Sequence, residues 1–323
     1  MKAAVLEDDI EFHDFHPPAD DFHAEVIAGL KRSPPAISPK FFYDQQGSRL
    51  FDAICGCHEY YPTRTESRIL RDHCEDIAAL VGQGSLLIEP GAGSTEKVRL
   101  LLDALRPHIF MPMDISRDHL RAAARGLAED FDWLTVCAAC VDFTLPLQLP
   151  VDPPGLRKVV FFPGSSIGNF EPEAAVEFLA NLRNMVGDSG GLIIGVDLKK
   201  SPDVLHAAYN DRLGITAAFN LNLLHRINRE LGADFDVTAF AHNAFYNDAI
   251  GRVEMHLQCQ RDTTVRIGGE VLEFNVGNSI HTENSYKYHV EEFQQLAAEA
   301  GFAARACWTD DDRLFSVHYF DAA

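Results

Sequence analysis

The chain has 323 residues, enough for two domains of ordinary size or for one large α/β domain with an elaboration. With 46% hydrophobic and 24% charged residues, its composition excludes a disordered chain, a collagen-like fibre and a small disulfide-stabilised domain. Acidic residues outnumber basic ones by 48 to 28, and the net charge is −20. A chain of this charge repels phosphate backbones and anionic lipids, so we expect neither nucleic acid nor a membrane surface as a partner.

The N-terminus and the cysteines favour a cytoplasmic location. Residues 1–12 lack the long apolar core of a signal peptide, and the sequence offers no apolar run long enough to cross a bilayer. The seven cysteines are odd in number and irregularly spaced, which is typical of reduced thiols. Cys137 and Cys140 form a CxxC in an apolar run, but a second ligand pair at zinc-site spacing is not evident. We therefore expect buried thiols and no metal site.

In chain order, the predicted elements begin with an acidic segment that contains His13, His16 and His23. We predict a flexible terminus over residues 1–23, with a metal-binding tail as the alternative. A helix is expected over 24–31, ending before a group of prolines that cannot continue it. Thr63 and Glu66 then have the spacing of a capping box, which predicts a helix from there to about Leu80.

From residue 85 onward, short apolar runs alternate with helical patterns. This alternation predicts an α/β domain with a mostly parallel sheet that carries helices on both faces. The runs are continuously apolar, which is typical of strands buried on both sides. Five such strands are predicted: SLLIE, IFMPMD, WLTVCAACVDF, VVFFPGSSIGNF and GGLIIGVDL.

After Leu198 the alternation stops, and we predict a second lobe of α+β type. The sequence there indicates a helical pair and then hairpin-like strands, with a turn at Gly268-Gly269. A last helix and a last strand return the chain to the α/β domain. We assign residues 24–80 and 200–285 to the second lobe, and residues 81–199 and 286–323 to the α/β domain.

A glycine turn and a series of acids follow successive strands. Gly91-Ala92-Gly93 lies between a strand and a helix, where glycines let a ligand approach the backbone. A dinucleotide site favours a third glycine, but Glu96 stands there and would repel a diphosphate. Asp114 and Asp142-Phe143 end the next two strands, where an acid can accept hydrogen bonds from ribose hydroxyls and a ring can stack on a base. The series predicts a neutral or cationic nucleoside such as S-adenosylmethionine, with ordinary turn and cap residues as the alternative.

The segment Gly164 to Gly168 reads GSSIG and matches GxSxG, the nucleophile elbow of α/β-hydrolases. An elbow needs a helix directly after its serine, whereas here the sequence continues through Asn169-Phe170 before a helix opens at Glu171-Pro172. An oxyanion loop of HGGG type is also missing upstream. A serine hydrolase therefore remains only as a remote alternative, beside a turn without function.

Five motifs now occur in a distinctive order: PKFFYDQQGSRLFDAI, EYYPTRTES, the glycine turn followed by EK, FFPGSSIGNF and IHTENSYKY. From about Ala24 to the C-terminus, the chain resembles the histidine-specific methyltransferases of ergothioneine biosynthesis. The resemblance implies a Rossmann-like class I methyltransferase domain with a second, substrate-binding lobe. One departure is visible, because the turn reads EPGAG where the family pattern is closer to ELGSG; Pro90 leaves both glycines in place.

The resemblance also implies the residues of the two binding sites. The positions that match the S-adenosylmethionine site are Gly91, Lys97, Asp114, Asp142 and Phe143. The positions that match the aromatic and apolar walls of the histidine site are Tyr43, Phe51, Tyr60 and Met255. Those that match the α-amino-carboxylate end are Gly164, Asn169 and Tyr209. Glu283 and Ser285 match the pair that holds the imidazole, where a carboxylate and a hydroxyl suit its two nitrogens.

The activity implied is trimethylation of the α-amino group of L-histidine to hercynine, the first step of ergothioneine biosynthesis, with S-adenosylhomocysteine as coproduct. Because the methyl group on a sulfonium is already activated, we expect positioning with no catalytic acid or base, and with Tyr43 and Tyr60 near the amine. The alternatives within this chemistry are a relative that acts on another imidazole amino acid and one that stops after one or two methyl groups. No obligate protein partner is predicted.

Overall fold

The structure, a computed structural model, describes residues 5–7, 10–15, 19–145 and 149–323. The chain divides into two compact units. The first unit comprises Met1–His16, Pro62–Lys199 and Tyr286–Ala323, and the second comprises Pro17–Tyr61 and Lys200–Ser285. The division differs from the predicted one, because residues 62–80 pack with the first unit.

The strands in chain order are β1 (Val5–Glu7), β2 (Ile10–Asp14), β3 (Leu86–Pro90), β4 (Ile109–Asp114), β5 (Thr135–Cys140), β6 (Lys158–Phe162), β7 (Gly191–Asp197), β8 (Phe240–Asn247), β9 (Arg252–Cys259), β10 (Thr263–Ile267), β11 (Glu270–Phe274), β12 (Ser279–Tyr286), β13 (Phe302–Thr309) and β14 (Phe315–Ala322). The α-helices are α1 (Ala19–Leu30), α2 (Gln45–Cys55), α3 (Tyr61–Asp72), α4 (Cys74–Val81), α5 (Glu96–Leu105), α6 (Arg117–Asp130), α7 (Pro172–Val186), α8 (Pro202–Tyr209), α9 (Ile215–Leu231) and α10 (Val290–Glu299). Short 3-10 helices cover Pro39–Phe42, Ser166–Asn169 and Val237–Ala239.

The first unit is built on a sheet with the strand order β1-β2-β5-β4-β3-β6-β7-β14-β13 in the described part of the chain. Strands β2, β5, β4, β3, β6 and β7 run parallel to one another, whereas β1 is antiparallel to β2 and β14 is antiparallel to β7. The five apolar runs predicted as strands are β3 to β7, so the predicted mostly parallel α/β sheet is confirmed. Three strands of this sheet were not predicted: β1 and β2, which pair with each other where a flexible terminus was expected, and β13, which pairs with β14. Strand β2 also pairs with β5.

Alternate residues of the central strands point into two separate hydrophobic cores. On β3, Leu87 belongs to one core and its neighbours Leu86 and Ile88 belong to the other. Helices α4, α5 and α6 contribute to the first core, and α7 and α10 to the second. Because side chains alternate across a strand, the two cores lie on opposite faces of the sheet, and helices cover both.

The second unit contains a three-stranded sheet of order β12-β9-β8 and a separate hairpin of β10 and β11. The hairpin turns at Gly268-Gly269 with Ile267 opposite Glu270, which confirms the predicted turn. Helices α2 and α9 pack together. The ring of Phe42, at the end of the 3-10 helix Pro39–Phe42, stacks on that of Phe219 of α9 with centroids 4.5 Å apart.

Two local predictions differ from the structure, and a third agrees with it. The helix expected from Thr63 begins at Tyr61, so Thr63 lies inside the first turn of α3, and a break at His73 separates α3 from α4. His13, predicted in a flexible terminus, lies on β2 and contacts Glu11, whereas His16 falls outside the described residues. Cys137 and Cys140 are buried thiols on β5, as predicted, and burial raises the pKa of each to about 12.

Among the described residues, no helix combines the length and apolar character needed to cross a bilayer.

Candidate functional site

The glycine turn connects β3 to α5 at the carboxyl end of the parallel strands. Gly91 has φ +69° and Gly93 has φ +52°, in the left-handed region that favours glycine. A Cβ added at Gly91 would lie 3.2 Å from Cε1 of Phe143, so the aromatic ring packs directly on bare backbone. The sequence therefore places glycine where the strand turns and where a ring approaches closely.

Asp114, at the end of β4, is hydrogen-bonded to this turn. Its Oδ2 accepts from the backbone N–H of Gly93 at 3.1 Å, and its Oδ1 accepts from that of Ser116 at 2.7 Å. Burial raises the pKa of Asp114, while these two hydrogen bonds act in the opposite direction. Since each carboxylate oxygen has a second lone pair, Asp114 retains acceptor capacity for ligand hydroxyls.

Asp142 and Phe143 follow β5, the next strand of the sheet. Asp142 is buried, and its Oδ1 accepts hydrogen bonds from the backbone N–H and the hydroxyl of Thr144 at 3.0 and 2.5 Å. The Phe143 ring packs edge-on against Phe162 and Phe178. The structure thus gathers four predicted cofactor residues, Gly91, Asp114, Asp142 and Phe143, at the ends of three adjacent strands.

Lys97, the fifth predicted cofactor residue, lies in the first turn of α5 and forms an ion pair that the sequence did not reveal. Its Nζ is 2.6 Å from Oε2 of Glu66 on α3, a carboxylate that is completely buried. The two Glu66 oxygens also accept from the backbone N–H of Gly164, at 3.0 and 2.9 Å. Glu66 therefore connects a predicted cofactor residue to a predicted substrate residue.

Glu89, on β3 just before the glycine turn, is a second buried acid that sequence reasoning quoted but gave no role. It is 2% exposed, and no described residue hydrogen-bonds its Oε2. Burial raises the pKa of Glu89 well above its usual range; Lys97 opposes this, and Glu66 and Asp114 add to it. A buried carboxyl group with a raised pKa and an unsatisfied oxygen beside a glycine turn is a candidate binding-site residue.

The GSSIG segment does not have the form of a nucleophile elbow. Ser165 has φ +57°, and its Oγ accepts from the backbone N–H of Asp197 at 2.9 Å. The Oγ of Ser166, the serine at the elbow position, donates to the backbone carbonyl of Pro163 at 3.2 Å. The chain then forms a 3-10 helix that ends at Asn169, which places this predicted substrate residue in the first unit together with Gly164.

The other seven predicted substrate residues lie in the second unit, where four of them form a continuous aromatic series. Ring centroids are 5.8 Å apart for Tyr43 and Phe51, 6.5 Å for Phe51 and Tyr60, and 6.3 Å for Tyr60 and Tyr209. All three contacts are edge-to-face, a favourable arrangement of aromatic rings. Phe219 of α9 contacts both Tyr43 and Phe51 and is an aromatic member that the sequence analysis missed.

The aromatic series ends at the pair predicted to hold the imidazole. The Tyr209 hydroxyl donates to Oγ of Ser285 at 2.7 Å. Burial raises the pKa of Tyr60 well above its usual range, and neighbouring Tyr209, Cys55, Glu283 and Tyr43 add to the shift. Glu283 thus lies in the electrostatic surroundings of Tyr60, and the Tyr60 hydroxyl stays protonated.

A buried polar network behind β12 was not predicted. The Thr282 hydroxyl donates to Asn220 Oδ1 at 2.8 Å and contacts the backbone carbonyl of Met255 at 3.0 Å. Nδ2 of Asn220 lies 2.9 Å from Nδ1 of His242, whose Nε2 is 2.9 Å from the backbone carbonyl of Tyr209. Burial lowers the pKa of His242, so the neutral ring donates to that carbonyl and accepts from Asn220. The network fixes the backbone on both sides of the predicted imidazole pair.

Two groups among the described residues bring possible metal ligands within 4.8 Å of one another: Glu11, His13 and Cys137, and Glu254, His256 and His281. In the first, the raised pKa of the Cys137 thiol disfavours the thiolate that a metal requires. In the second, Glu254 already accepts from Arg252 at 3.0 Å, and this guanidinium opposes a further cation. Hydrogen bonds already join Glu11 to His13 and Glu254 to His256.

The sequence is similar to known methyltransferases. The sequence matches, over residues 22–322, the family described as histidine-specific methyltransferase, SAM-dependent. It is 40% identical over 298 residues to the histidine N-alpha-methyltransferase of Mycolicibacterium smegmatis, an alignment that covers 90% of this chain and 92% of that protein. The histidine N-alpha-methyltransferase of Mycobacterium tuberculosis is 39% identical over 299 residues, which cover 91% of this chain and 92% of that protein.

A fungal relative, Ergothioneine biosynthesis protein 1 of Neurospora crassa, is 32% identical over 295 residues. This alignment covers 86% of the chain and 32% of the fungal protein. The matches favour methyl transfer over the serine-hydrolase alternative. The chain belongs to the family of histidine-specific, S-adenosylmethionine-dependent methyltransferases.

Proposed function

We propose that the chain transfers three methyl groups from S-adenosylmethionine to the α-amino group of L-histidine, giving hercynine and S-adenosylhomocysteine, as the first step of ergothioneine biosynthesis. Support comes from the family and from three relatives, two of them named histidine N-alpha-methyltransferase and one Ergothioneine biosynthesis protein 1. The structural observation that carries the proposal is the aromatic series ending on the hydrogen bond between Tyr209 and Ser285. We also propose a cytoplasmic location, which agrees with seven reduced cysteines.

The first unit has features that fit a sulfonium nucleoside. The buried Oε2 of Glu89, which no described residue hydrogen-bonds, lies beside the glycine turn and favours a hydrogen-bond donor over an anion. The bare backbone at Gly91 permits close approach, and Phe143 offers an aromatic ring to a base. We therefore propose that the cofactor is held by Gly91, Lys97, Asp114, Asp142 and Phe143. When bound, S-adenosylmethionine supplies a methyl group on a positively charged sulfur.

The second unit has features that fit histidine. The Glu283 carboxylate is suited to accept a hydrogen bond from one imidazole N–H. The Ser285 hydroxyl, which accepts a hydrogen bond from Tyr209, would hydrogen-bond the other imidazole nitrogen. An amino acid without the ring would offer this carboxylate and this hydroxyl no imidazole nitrogen, so the pair would favour histidine over amino acids that lack the ring. We propose that Gly164 and Asn169 bind the α-amino-carboxylate end. The remaining walls would be Tyr43, Phe51, Tyr60 and Met255.

The chemistry needs orientation more than proton transfer. The pKa of an α-amine is about 8, so a useful neutral fraction exists near neutral pH without a side-chain base. The Tyr60 hydroxyl, kept protonated by burial, offers its oxygen as an acceptor for an amine N–H and leaves the nitrogen lone pair available. Aromatic faces also favour the cationic amine that forms as methyl groups are added. Holding the amine in one orientation and excluding water would supply most of the rate acceleration of methyl transfer.

A methyl-transfer assay with isotope-labelled S-adenosylmethionine tests this proposal. Free L-histidine, another imidazole amino acid, an amino acid without imidazole and a reaction without acceptor are compared under the same conditions. We expect label in histidine far above the other three. Preferential labelling of the other imidazole amino acid would support the alternative acceptor, and label in none would contradict the proposed activity.

A further inference from the structure

Glu66 is a completely buried carboxylate whose two oxygens are both used within the first unit. Oε2 lies 2.6 Å from Nζ of Lys97, and both oxygens accept from the backbone N–H of Gly164 at 3.0 and 2.9 Å. One side chain on α3 therefore holds the first turn of α5 and the loop that follows β6. These partners lie 31 and 98 residues further along the chain, so the contact is long-range.

Two glycines lie directly against this ion pair. A Cβ added at Gly195 on β7 would lie 1.9 Å from Oε1 of Glu66. A Cβ added at Gly164 would lie 3.3 Å from Nζ of Lys97, and Gly164 has φ +83°. A side chain at position 195 would therefore displace the Glu66 carboxylate, and one at position 164 would crowd the Lys97 ammonium. A contact so tightly enclosed fixes both of its partners in one arrangement.

Charge gives this contact a second consequence. Burying an ionised carboxylate is unfavourable unless it is paired and hydrogen-bonded, and Lys97 with the Gly164 N–H meets that requirement. Lys97 remains about one-fifth exposed, so its ammonium is held by Glu66 yet still accessible on one side. Without Glu66, the Lys97 side chain would lose the contact that fixes its direction.

We propose that Glu66 is a positioning residue for methyl transfer: through Lys97 it orients the cofactor site, and through the Gly164 N–H it orients the loop that receives the amino acid. This inference rests on the proposed function, which places Lys97 with the cofactor and Gly164 with histidine. It predicts that one buried side chain, which contacts neither ligand, sets the affinity for both.

Calorimetric binding of S-adenosylhomocysteine and of L-histidine to the full chain tests the inference. Wild type is compared with Glu66→Gln, Lys97→Met and the double variant, and thermal unfolding establishes that each is folded. Glu75→Gln on α4 makes the same chemical change at an exposed position and serves as the matched control. We expect Glu66→Gln to lower the affinity for both ligands about tenfold. Lys97→Met should lower the affinity for S-adenosylhomocysteine and leave that for histidine unchanged.

The double variant separates positioning from general destabilisation. If Glu66 acts through Lys97, adding Glu66→Gln to Lys97→Met causes little further loss of S-adenosylhomocysteine affinity, while histidine affinity still falls. Additive losses for S-adenosylhomocysteine, or a folded Glu66→Gln that binds both ligands within twofold of wild type, would overturn the inference. Should Glu66→Gln not fold, Glu66→Asp, which keeps the charge but shortens the reach, takes its place with the same criteria. Failure of both variants to fold would show that the role is structural and would also overturn the inference.

Measurements on the wild-type chain distinguish failure of this inference from failure of the proposed function. If wild type binds both ligands but does not methylate histidine, the proposed function is wrong and the role of Glu66 in binding is still decided by the variants. If wild type methylates histidine and Glu66→Gln binds both ligands as well as Glu75→Gln does, only the inference about Glu66 is wrong.

Discussion

The Tyr209 hydroxyl donates a hydrogen bond to Oγ of Ser285 over 2.7 Å, and so joins the end of α8 to β12. The resemblance associated Tyr209 with the α-amino-carboxylate end of histidine and Ser285 with the imidazole. In the structure the two residues are neighbours within the second unit. Tyr209 therefore has a direct means of orienting the Ser285 hydroxyl, whichever part of the amino acid it contacts.

The first prediction concerns this hydrogen bond. Tyr209→Phe keeps the ring that packs against Tyr60 and removes only the hydroxyl. Because a neutral hydrogen bond contributes about 0.5–1.5 kcal/mol, histidine affinity should fall about two- to tenfold, with S-adenosylhomocysteine affinity unchanged. Titration calorimetry with each ligand measures both values. A variant that binds histidine as wild type does would show that the Tyr209 hydroxyl has no part in the site.

The second prediction concerns the acid of the imidazole pair. A charged hydrogen bond contributes about 1.5–3 kcal/mol, so Glu283→Ala should weaken histidine binding by about 10- to 150-fold. Binding of S-adenosylhomocysteine should remain intact. Glu273→Ala, at an exposed glutamate on β11, is the control for loss of one negative charge from the second unit. Equal losses for both ligands in Glu283→Ala would contradict the assignment of Glu283 to histidine.

The third prediction separates backbone strain from ligand contact at the glycine turn. Gly91 and Gly84 both have positive φ, +69° and +74°, but only the Cβ of a residue at 91 would meet Phe143. Alanine at either position should cost roughly 1–2 kcal/mol of stability, measured by thermal unfolding. Only Gly91→Ala should also lower the affinity for S-adenosylhomocysteine, by about tenfold, because the added methyl group displaces the Phe143 ring from the glycine turn. Similar cofactor affinity in both variants would argue against a cofactor role for Gly91 and Phe143.

The fourth prediction uses the pKa of Glu89, which burial raises well above the usual value of 4.5. Since the folded chain binds this proton more tightly than the unfolded chain, the group contributes stability below about pH 4.5 that is lost as pH rises toward its folded pKa. Glu89→Gln cannot lose a proton. In ligand-free protein, the unfolding free energy of Glu89→Gln should therefore rise relative to that of wild type as the pH increases above about 4.5, until the pH passes the folded-state pKa of Glu89. Parallel denaturant-unfolding profiles for the two proteins would show that Glu89 is ionised when buried.

The sequence was sufficient for the central sheet because strands β3 to β7 are continuous apolar runs, and burial on both faces requires that pattern. Strand β2 was missed because IEFHD is short and polar at alternate positions, and it lies in an acidic segment that resembles a mobile terminus. Local spacing was misleading at Thr63 and Glu66, which resemble a capping box. Glu66 instead contacts Lys97, and a contact over such a sequence distance leaves no local pattern.

The candidate site was predictable to different extents in the two units. Gly91 and Asp114 could be selected from position alone, because ligands bind beyond the carboxyl ends of parallel strands. The aromatic members of the second unit came only from family resemblance. Phe219 and Asn220 were missed because both fit an ordinary amphipathic helix, and their roles appear only once α9 is packed against α2 and β9. Glu89 carries no sequence signal of its own beyond its place before the glycine turn.

The measurement that tests the central claim most directly is the number and position of methyl groups in the product. The chain is incubated with L-histidine and excess S-adenosylmethionine, the product is followed by mass spectrometry, and NMR identifies the methylated nitrogen. The account predicts that histidine is converted to a product with three methyl groups, all on the α-nitrogen. A final product with one methyl group, or methyl groups on the imidazole ring, would contradict it.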